Sequence, residues 1–215
     1  ILYAVSDAGQ NLFVFEINDP TYIGNSVDFD GINDHIDYGD LVAYEFNTSF
    51  SLEAWILQEN NTSIGTIVSK NKASSTSSNR RGYCLALVES SGSTYPNLTW
   101  YNNSGLEKLN ITSPYPVTNN RWYHIAATYD GTTAKLFIDG IMVISDTPDS
   151  APSYDSEKFL IGAIYDGDNP STPKNYFDGY IDEVRVWDTA LSVSQIRQMM
   201  NQEIQESITD LGSGT

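Results

Sequence analysis

Sulfur and histidine chemistry are almost absent from this chain, which has one cysteine, Cys84, and two histidines, His35 and His124, in 215 residues. A lone cysteine forms no internal disulfide, so the fold must rest on its core, which a chain of this length can supply. Cys84 lies in the apolar stretch GYCLALV and reads as a small core residue, not as an activated thiol. Neither histidine has a second histidine or cysteine at ligand spacing, which leaves transition metals without a donor set. Basic residues are scarce as well: 11 Lys plus Arg stand against 28 Asp plus Glu, a formal net charge of −17. That charge repels phosphate backbones and anionic lipid heads, so neither nucleic acid nor a membrane surface is an expected partner. No apolar run approaches the roughly 18 residues of a spanning helix. No signal peptide opens the sequence, and its start at Ile1 reads as that of a fragment from a longer exported protein. There is no Gly-x-Ser-x-Gly elbow; Asp182 and Glu183 are adjacent and diverge, and no Glu-x-Asp-x-x-Glu or Glu-x-Asp-x-Glu pattern offers the acid and nucleophile of a strand-borne glycosidase.

What the chain has in abundance is alternation. From Tyr180 to Trp187 apolar and polar residues alternate, which predicts a strand with Tyr180, Asp182, Val184 and Val186 on one face and Glu183, Arg185 and Trp187 on the other. Ser192 and Gln195 then have the spacing of a capping box, with Leu191 and Ile196 placed as a hydrophobic staple, which predicts the one convincing helix. Residues 49–56 place Phe50, Leu52, Ala54 and Ile56 inward and Ser51, Glu53 and Trp55 outward. Hairpins are expected between 82–88 and 97–102, joined by a loop over 90–96, and between 121–129 and 134–138; Asp139-Gly140 suits a type I′ turn. The polar run 71–79 and the Pro-, Asp- and Ser-rich stretches 147–156 and 166–175 read as loops, the last two as a ligand rim. Many short strands with one helix predict an all-β fold of two packed antiparallel sheets.

The pieces FDGINDHI at 29–36, SFSLEAWI at 49–56, IVSK at 67–70, RWYHIAATYDG at 121–131, KLFIDG at 135–140, LIGA at 160–163 and FDGYIDEVRVWDTALS at 177–192 occur in a set order. In that order they resemble the laminin-G-like, concanavalin A-like jelly-roll family of bacterial extracellular modules. The resemblance implies a jelly-roll sandwich over 26–204, with 1–25 as an N-terminal extension or extra edge strand and 205–215 as a linker. It pairs the last strand with residues 26–39, and it implies a secreted or cell-surface location. It also implies a calcium ion held by Asp30 and Asp182, with Asn33 and Asp34 as further ligands. Calcium takes six to eight oxygens at about 2.3–2.6 Å, and these side chains offer them. The competing reading is that Asp30 and Asp34 cap turns through their own backbone.

Sugar recognition needs aromatic faces and planar polar groups, and the chain has 14 Tyr and four Trp. Trp55, Trp122 and Trp187 belong to the matched framework and read as structural. Trp100, Tyr101, Tyr95, Tyr165 and Tyr176 form the candidate stacking platform, and Arg80 and Arg81 are candidates for binding an anionic sugar. Asn-x-Ser/Thr triplets, among them those at Asn97 and Asn110, arise by chance in so polar a chain. The expected function is a non-catalytic, calcium-containing carbohydrate-binding or adhesion module of a multidomain protein, with a polysaccharide or glycan as partner. The alternatives are a protein-interaction or spacer domain with structural calcium only, and a jelly-roll lyase or glycoside hydrolase.

Overall fold

The structure is a computed structural model that describes the backbone of residues 2–7 and 10–15, and residues 26–74, 80–169 and 172–202 in full. Strands β1 (Leu2–Asp7), β2 (Gln10–Phe15), β3 (Val27–Asp30), β4 (Ile36–Asp37) and β5 (Phe50–Gln58) come first. They are followed by β6 (Ile64–Ala73), β7 (Arg81–Ser90), β8 (Ser93–Tyr101), β9 (Glu107–Thr112) and β10 (Trp122–Tyr129). The chain closes with β11 (Ala134–Ile138), β12 (Ile141–Asp146), β13 (Phe159–Ile161), β14 (Tyr165–Asp166), β15 (Asp178–Trp187) and helix α1 (Val193–Met199). The expected linker 205–215 and most of the serine-rich run, 75–79, lie outside the described residues.

Two sheets form a sandwich. The first runs β1-β2-β15-β5-β10-β11-β12, with β3 also paired to β15, and the second runs β4-β13-β6-β7-β8-β9, with β14 parallel to β6. The last strand does pair with the early segment, Ile181 opposite Val27 and Asp178 opposite Asp30. Inward residues of both sheets meet in one core, where Phe50, Leu52, Ala54 and Ile56 are buried as their alternation requires. Phe50, Tyr83 and Trp100 form an aromatic centre, with Phe50–Tyr83 centroids 5.2 Å apart.

Several expectations are met in detail. Asp139 and Gly140 both have positive φ, 49° and 69°, as a type I′ turn demands. Ser192 and Gln195 form the capping box at the start of α1. Leu191 and Ile196 are buried together with Ala126, Phe137 and Trp187, seating the helix on the outer face of the first sheet. That seat buries Ser51 and Glu53 as well, although alternation points them outward.

Three expectations are corrected. β6 continues through Asn71–Ala73, where the polar composition predicts the start of a loop, because β7 pairs with it as far as Lys72. The loop expected over 90–96 shrinks to a tight turn at Ser91-Gly92, both with positive φ, so Tyr95 and Pro96 belong to β8. The faces of β15 change over midway. Asp182 is opposite Trp55 and Arg185 is opposite Glu53, so three steps on β15 match two on β5. The extra residue is a β-bulge at Glu183, whose φ is 52°. Tyr180 and Asp182 consequently share the outer face with Arg185, while Ile181, Val184 and Val186 enter the core.

The carboxylates set a pH dependence. Asp30 is held below its ordinary range by the Ile32 and Asn33 N–H groups. For Asp37 burial acts upward, but the Lys158 ammonium and the Gly39 N–H outweigh it and lower the pKa. Asp130 is lowered chiefly by the Thr133 N–H. Groups with a lowered folded pKa stabilise the fold above the unfolded value and lose that contribution as pH falls through the folded one. Glu157 is raised by burial, so its contribution has the opposite sign and grows on acidification. Acidification toward the pI of about 4.1 also relieves the self-repulsion of a chain at −17. The urea midpoint is therefore expected to rise from pH 7 toward pH 4.5 and to fall below about pH 3.5. A midpoint that falls steadily from pH 7 would contradict this balance.

Candidate functional site

On the outer face of the second sheet the alternation of β7 and β8 opens a groove of about 610 Å³. β7 turns Tyr83, Leu85 and Leu87 into the core and leaves Cys84, Ala86 and Val88 outside. Short side chains on this central strand make the floor, and longer ones on its neighbours make the walls. β8 contributes Asn97, Thr99 and Tyr101, and β9 contributes Glu107, Asn110 and Thr112. The opposite wall is the segment that crosses over β6, where the Ile164 and Lys174 backbones bond to each other, bringing Asp168 and Lys174 to the rim.

The groove is polar above an apolar floor. Asn97 and Thr112 are register partners, as are Thr99 and Asn110. The Asn97 amide donates to Asn110 Oδ1 at 2.9 Å and to Thr112 Oγ1 at 2.8 Å. At one end the Arg80 guanidinium sits 5.6 Å from the Tyr101 ring centroid, anchored by its Nε–H donating to Ser74 O at 2.9 Å. The Tyr101 hydroxyl donates to Glu107 at 3.3 Å. Burial first, and the Glu107 carboxylate second, raise its pKa and keep it a neutral donor. Lys174 is balanced by Asp166 at 3.1 Å. Such a surface can exchange hydrogen bonds with hydroxyl groups and support a ring or aliphatic face. Burial pushes the Cys84 thiol up to about 12, which withholds the thiolate that nucleophilic attack requires.

Of the residues expected at a site, Tyr101 and Arg80 reach this groove. Trp100 does not. It is fully buried, its indole N–H donates to Ser150 O at 2.8 Å, and its ring packs against Tyr129 with centroids 4.9 Å apart. Next to Tyr101 on one strand, it has to point to the opposite face, which is the core. Tyr95 shares the outer face of β8 but lies six residues from Tyr101, about 20 Å along the strand, and does not line the groove. Tyr165 pairs beside Lys72, Tyr176 packs near His35 at 6.1 Å, and Arg81 donates to Arg80 O; none of the three lines the groove. The platform of five rings is thus reduced to one. Asn97, Asn110 and Thr112 were overlooked, although their signal is plain. An Asn-x-Thr triplet on a strand puts both polar groups on one face, and 97–99 and 110–112 are such triplets on adjacent strands.

The expected calcium ligands do not converge. Asp30 Oδ1 accepts from the Ile32 and Asn33 N–H groups at 2.8 and 3.1 Å, and Asp34 accepts from the Asp30 N–H at 3.1 Å, which is the turn-capping reading. The partner of Asp30 on β15 is Asp178, leaving Asp182 four residues, about 13 Å, further along. Asp178 stands against the turn, where a side chain added at Gly31 would meet its Cβ at 2.9 Å, and its carboxylate is held by Asn60. Among the described residues no three His, Cys, Asp or Glu side chains are arranged to hold a metal ion. The set Asp30, Asn33, Asp34 and Asp182 therefore does not fit a single ion.

Comparison with known proteins gives one family match, Laminin_G_3, described as the concanavalin A-like lectin/glucanases superfamily, over residues 29–197. No curated protein sequence matches the chain. Among solved structures, the Ruminococcus gnavus IT-sialidase CBM40 bound to α2,3-sialyllactose superposes with a TM-score of 0.64 at 13% identity, covering 80% of this chain and 96% of that one. A putative carbohydrate binding protein from Bacteroides ovatus gives 0.61 at 20%, covering 90% of this chain and 57% of its own. Domain 4 of AbnA, a GH43 extracellular arabinanase from Geobacillus stearothermophilus in complex with arabinotriose, gives 0.56 at 18%, covering 93% and 81%. At these identities the likeness is one of fold.

Proposed function

We propose, from the premise that this chain belongs to the concanavalin A-like lectin/glucanase superfamily, that it is a non-catalytic carbohydrate-binding module whose glycan lies in the groove on β6–β9. The observation that carries this reading is the pair of crossed Asn–Thr partners on the groove wall, closed at one end by Arg80 over Tyr101. Planar amides and hydroxyls in register present donors and acceptors at the spacing of a sheet, and a ring at one end supplies a face for a sugar. Several similar folds belong to proteins described as carbohydrate-binding or solved with a bound oligosaccharide, which supports the same reading. A module of this kind acts outside the cell, attached to a larger exported protein. It works without a cation bridging Asp30 and Asp182, because Asp182 stands apart from the Asp30 turn.

The test is native electrophoresis in gels containing neutral or anionic polysaccharides, with calcium and with chelator. One polymer is expected to retard the protein. Tyr101→Ala should weaken that retardation at least about tenfold, near 1.4 kcal/mol for a lost ring contact, while Tyr101→Phe retains most of it. Chelator should change neither the retardation nor the melting temperature. A chelator-dependent loss would restore the cation to the Asp30 turn. A protein that no polymer retards would be an interaction or spacer domain instead.

A further inference from the structure

Asn71, Gly82 and Tyr101 stand in one row across β6, β7 and β8. Asn71 and Tyr101 both line the groove, and Gly82 between them has no side chain. Strands two apart in a sheet are separated by about 10 Å, so the row is a notch with an amide on one side and a ring on the other. The Asn71 amide has a fixed orientation. Its Nδ2 donates to Gly82 O at 3.2 Å, and a carbonyl oxygen only accepts, so the nitrogen is committed there and Oδ1 is the other end. Asn71 is 1% exposed, and among the described residues its Oδ1 has no hydrogen-bond partner. A buried acceptor without a donor is costly, and the groove that Asn71 lines is the place from which a donor can come.

Charge narrows the choice of donor. All 11 lysines and arginines of the chain lie among the described residues, and only Arg80 and Lys174 line the groove. Lys174 is held by Asp166 at 3.1 Å, and the Arg80 guanidinium by Ser74 O and the Tyr101 ring. Glu107 and Asp168 line the same groove, so its charged side chains sum to zero. The segments 75–79 and 170–171, outside the described residues, contain only Ser, Thr, Asn and Pro and add no charge. A carboxylate or sulfate would bring no donor for Asn71 Oδ1 and find no surplus of positive charge, and a chain at −17 repels it. A hydroxyl supplies the donor without a charge. We propose that the row Asn71–Gly82–Tyr101 is a subsite for one neutral sugar residue, its ring against Tyr101 and one hydroxyl donating to Asn71 Oδ1, so that the module takes uncharged polysaccharides and rejects acidic ones. The proposal rests on the glycan reading above and adds to it a substrate class and the residue that selects for it.

Isothermal titration calorimetry with oligosaccharides tests this. The neutral probes are cellohexaose, xylohexaose, mannohexaose and maltohexaose, and the acidic ones are hexagalacturonate and hexamannuronate, each at low and at high salt. A neutral probe is expected to bind with an affinity that changes less than about twofold with salt, and the acidic probes are expected not to bind. Asn71→Ala should weaken the neutral probe about tenfold. Because that variant also loses the bond to Gly82 O, the sugar is altered in turn. One monodeoxy derivative of the bound sugar should bind the unaltered protein about tenfold more weakly, yet bind Asn71→Ala as well as the parent sugar does. In the unaltered protein the Asn71 side-chain NH2 signal should shift in NMR with the parent sugar and stay in place with that derivative, which tests the contact even if Asn71→Ala fails to fold. An acidic probe that binds where the neutral ones do not, and weakens in Tyr101→Ala, overturns this proposal and leaves the glycan reading standing. Neutral binding that Asn71→Ala and every deoxy derivative leave within about twofold overturns the Asn71 subsite in the same way. If no probe of either kind binds, the glycan reading itself fails and this proposal falls with it.

Discussion

Trp100→Ala lowers stability by about 3–5 kcal/mol, the usual cost of removing a buried large aromatic side chain. Trp100 touches both sheets: it packs on Tyr129 and Phe50 of the first sheet, and its N–H holds the Ser150 carbonyl in the 147–156 segment. Deleting the ring leaves a cavity at the centre and an unpaired carbonyl at its edge. For a chain of this size the melting temperature should fall by about 10 °C or more. Glycan affinity, measured below the new transition, should stay within about twofold, since Trp100 faces away from the groove. A stable Trp100→Ala variant that had lost its glycan would reverse this assignment and return the ring to the binding platform.

Gly82→Ala should cost at least about 3 kcal/mol, and it should abolish glycan retention together with stability. Gly82 has a φ of 72°, and a Cβ there would lie 1.7 Å from Lys70 O and 2.8 Å from Lys70 C. Both are backbone atoms of the paired strand, so no side-chain adjustment relieves the clash. The neighbouring chain would have to part from β7 where Gly82 also donates to Ser153 O and accepts from the Asn71 amide. Arg80 and Arg81 directly precede this point, so the basic end of the groove moves with it. Gly92→Ala is the control. Its φ is 81°, but nothing lies within 4 Å of the added atom, so only the left-handed backbone cost of about 1–2 kcal/mol applies. Equal losses at the two positions would show that φ alone, and not the approach of β6, sets the cost. Urea unfolding of both variants decides the matter.

Local order was legible in the chain because it rests on neighbours in sequence. Alternation along 49–56 identified the buried face of β5, Asp139-Gly140 specified its turn, and Ser192 with Gln195 started the helix where the structure has it. The scarcity of cysteine and histidine, and the excess of acid, set the expectations against transition metals and nucleic acid from composition alone. Period-two alternation even contained the groove wall, in the Asn-x-Thr triplets at 97–99 and 110–112, although nothing local shows that the two lie side by side.

Tertiary structure decided what depends on strands far apart in the chain. Only the pairing of β15 with β5 shows that Glu183 is an extra residue, and that single bulge moves Val184 and Val186 into the core while Asp182 stays outside. Only the pairing with β3 shows that Asp178, not Asp182, meets the turn at Asp30. The seat of α1 turns the nominally exposed Glu53 into a buried group beside His124, and leaves an aromatic pocket at its own C-terminal end. Which face of a strand is wet is set by what lies above it, and in a sandwich that neighbour comes from a distant part of the sequence. Alternation thus separates Trp100 from Tyr101, but the packing of the second sheet on the first determines which of the two rings a glycan can meet.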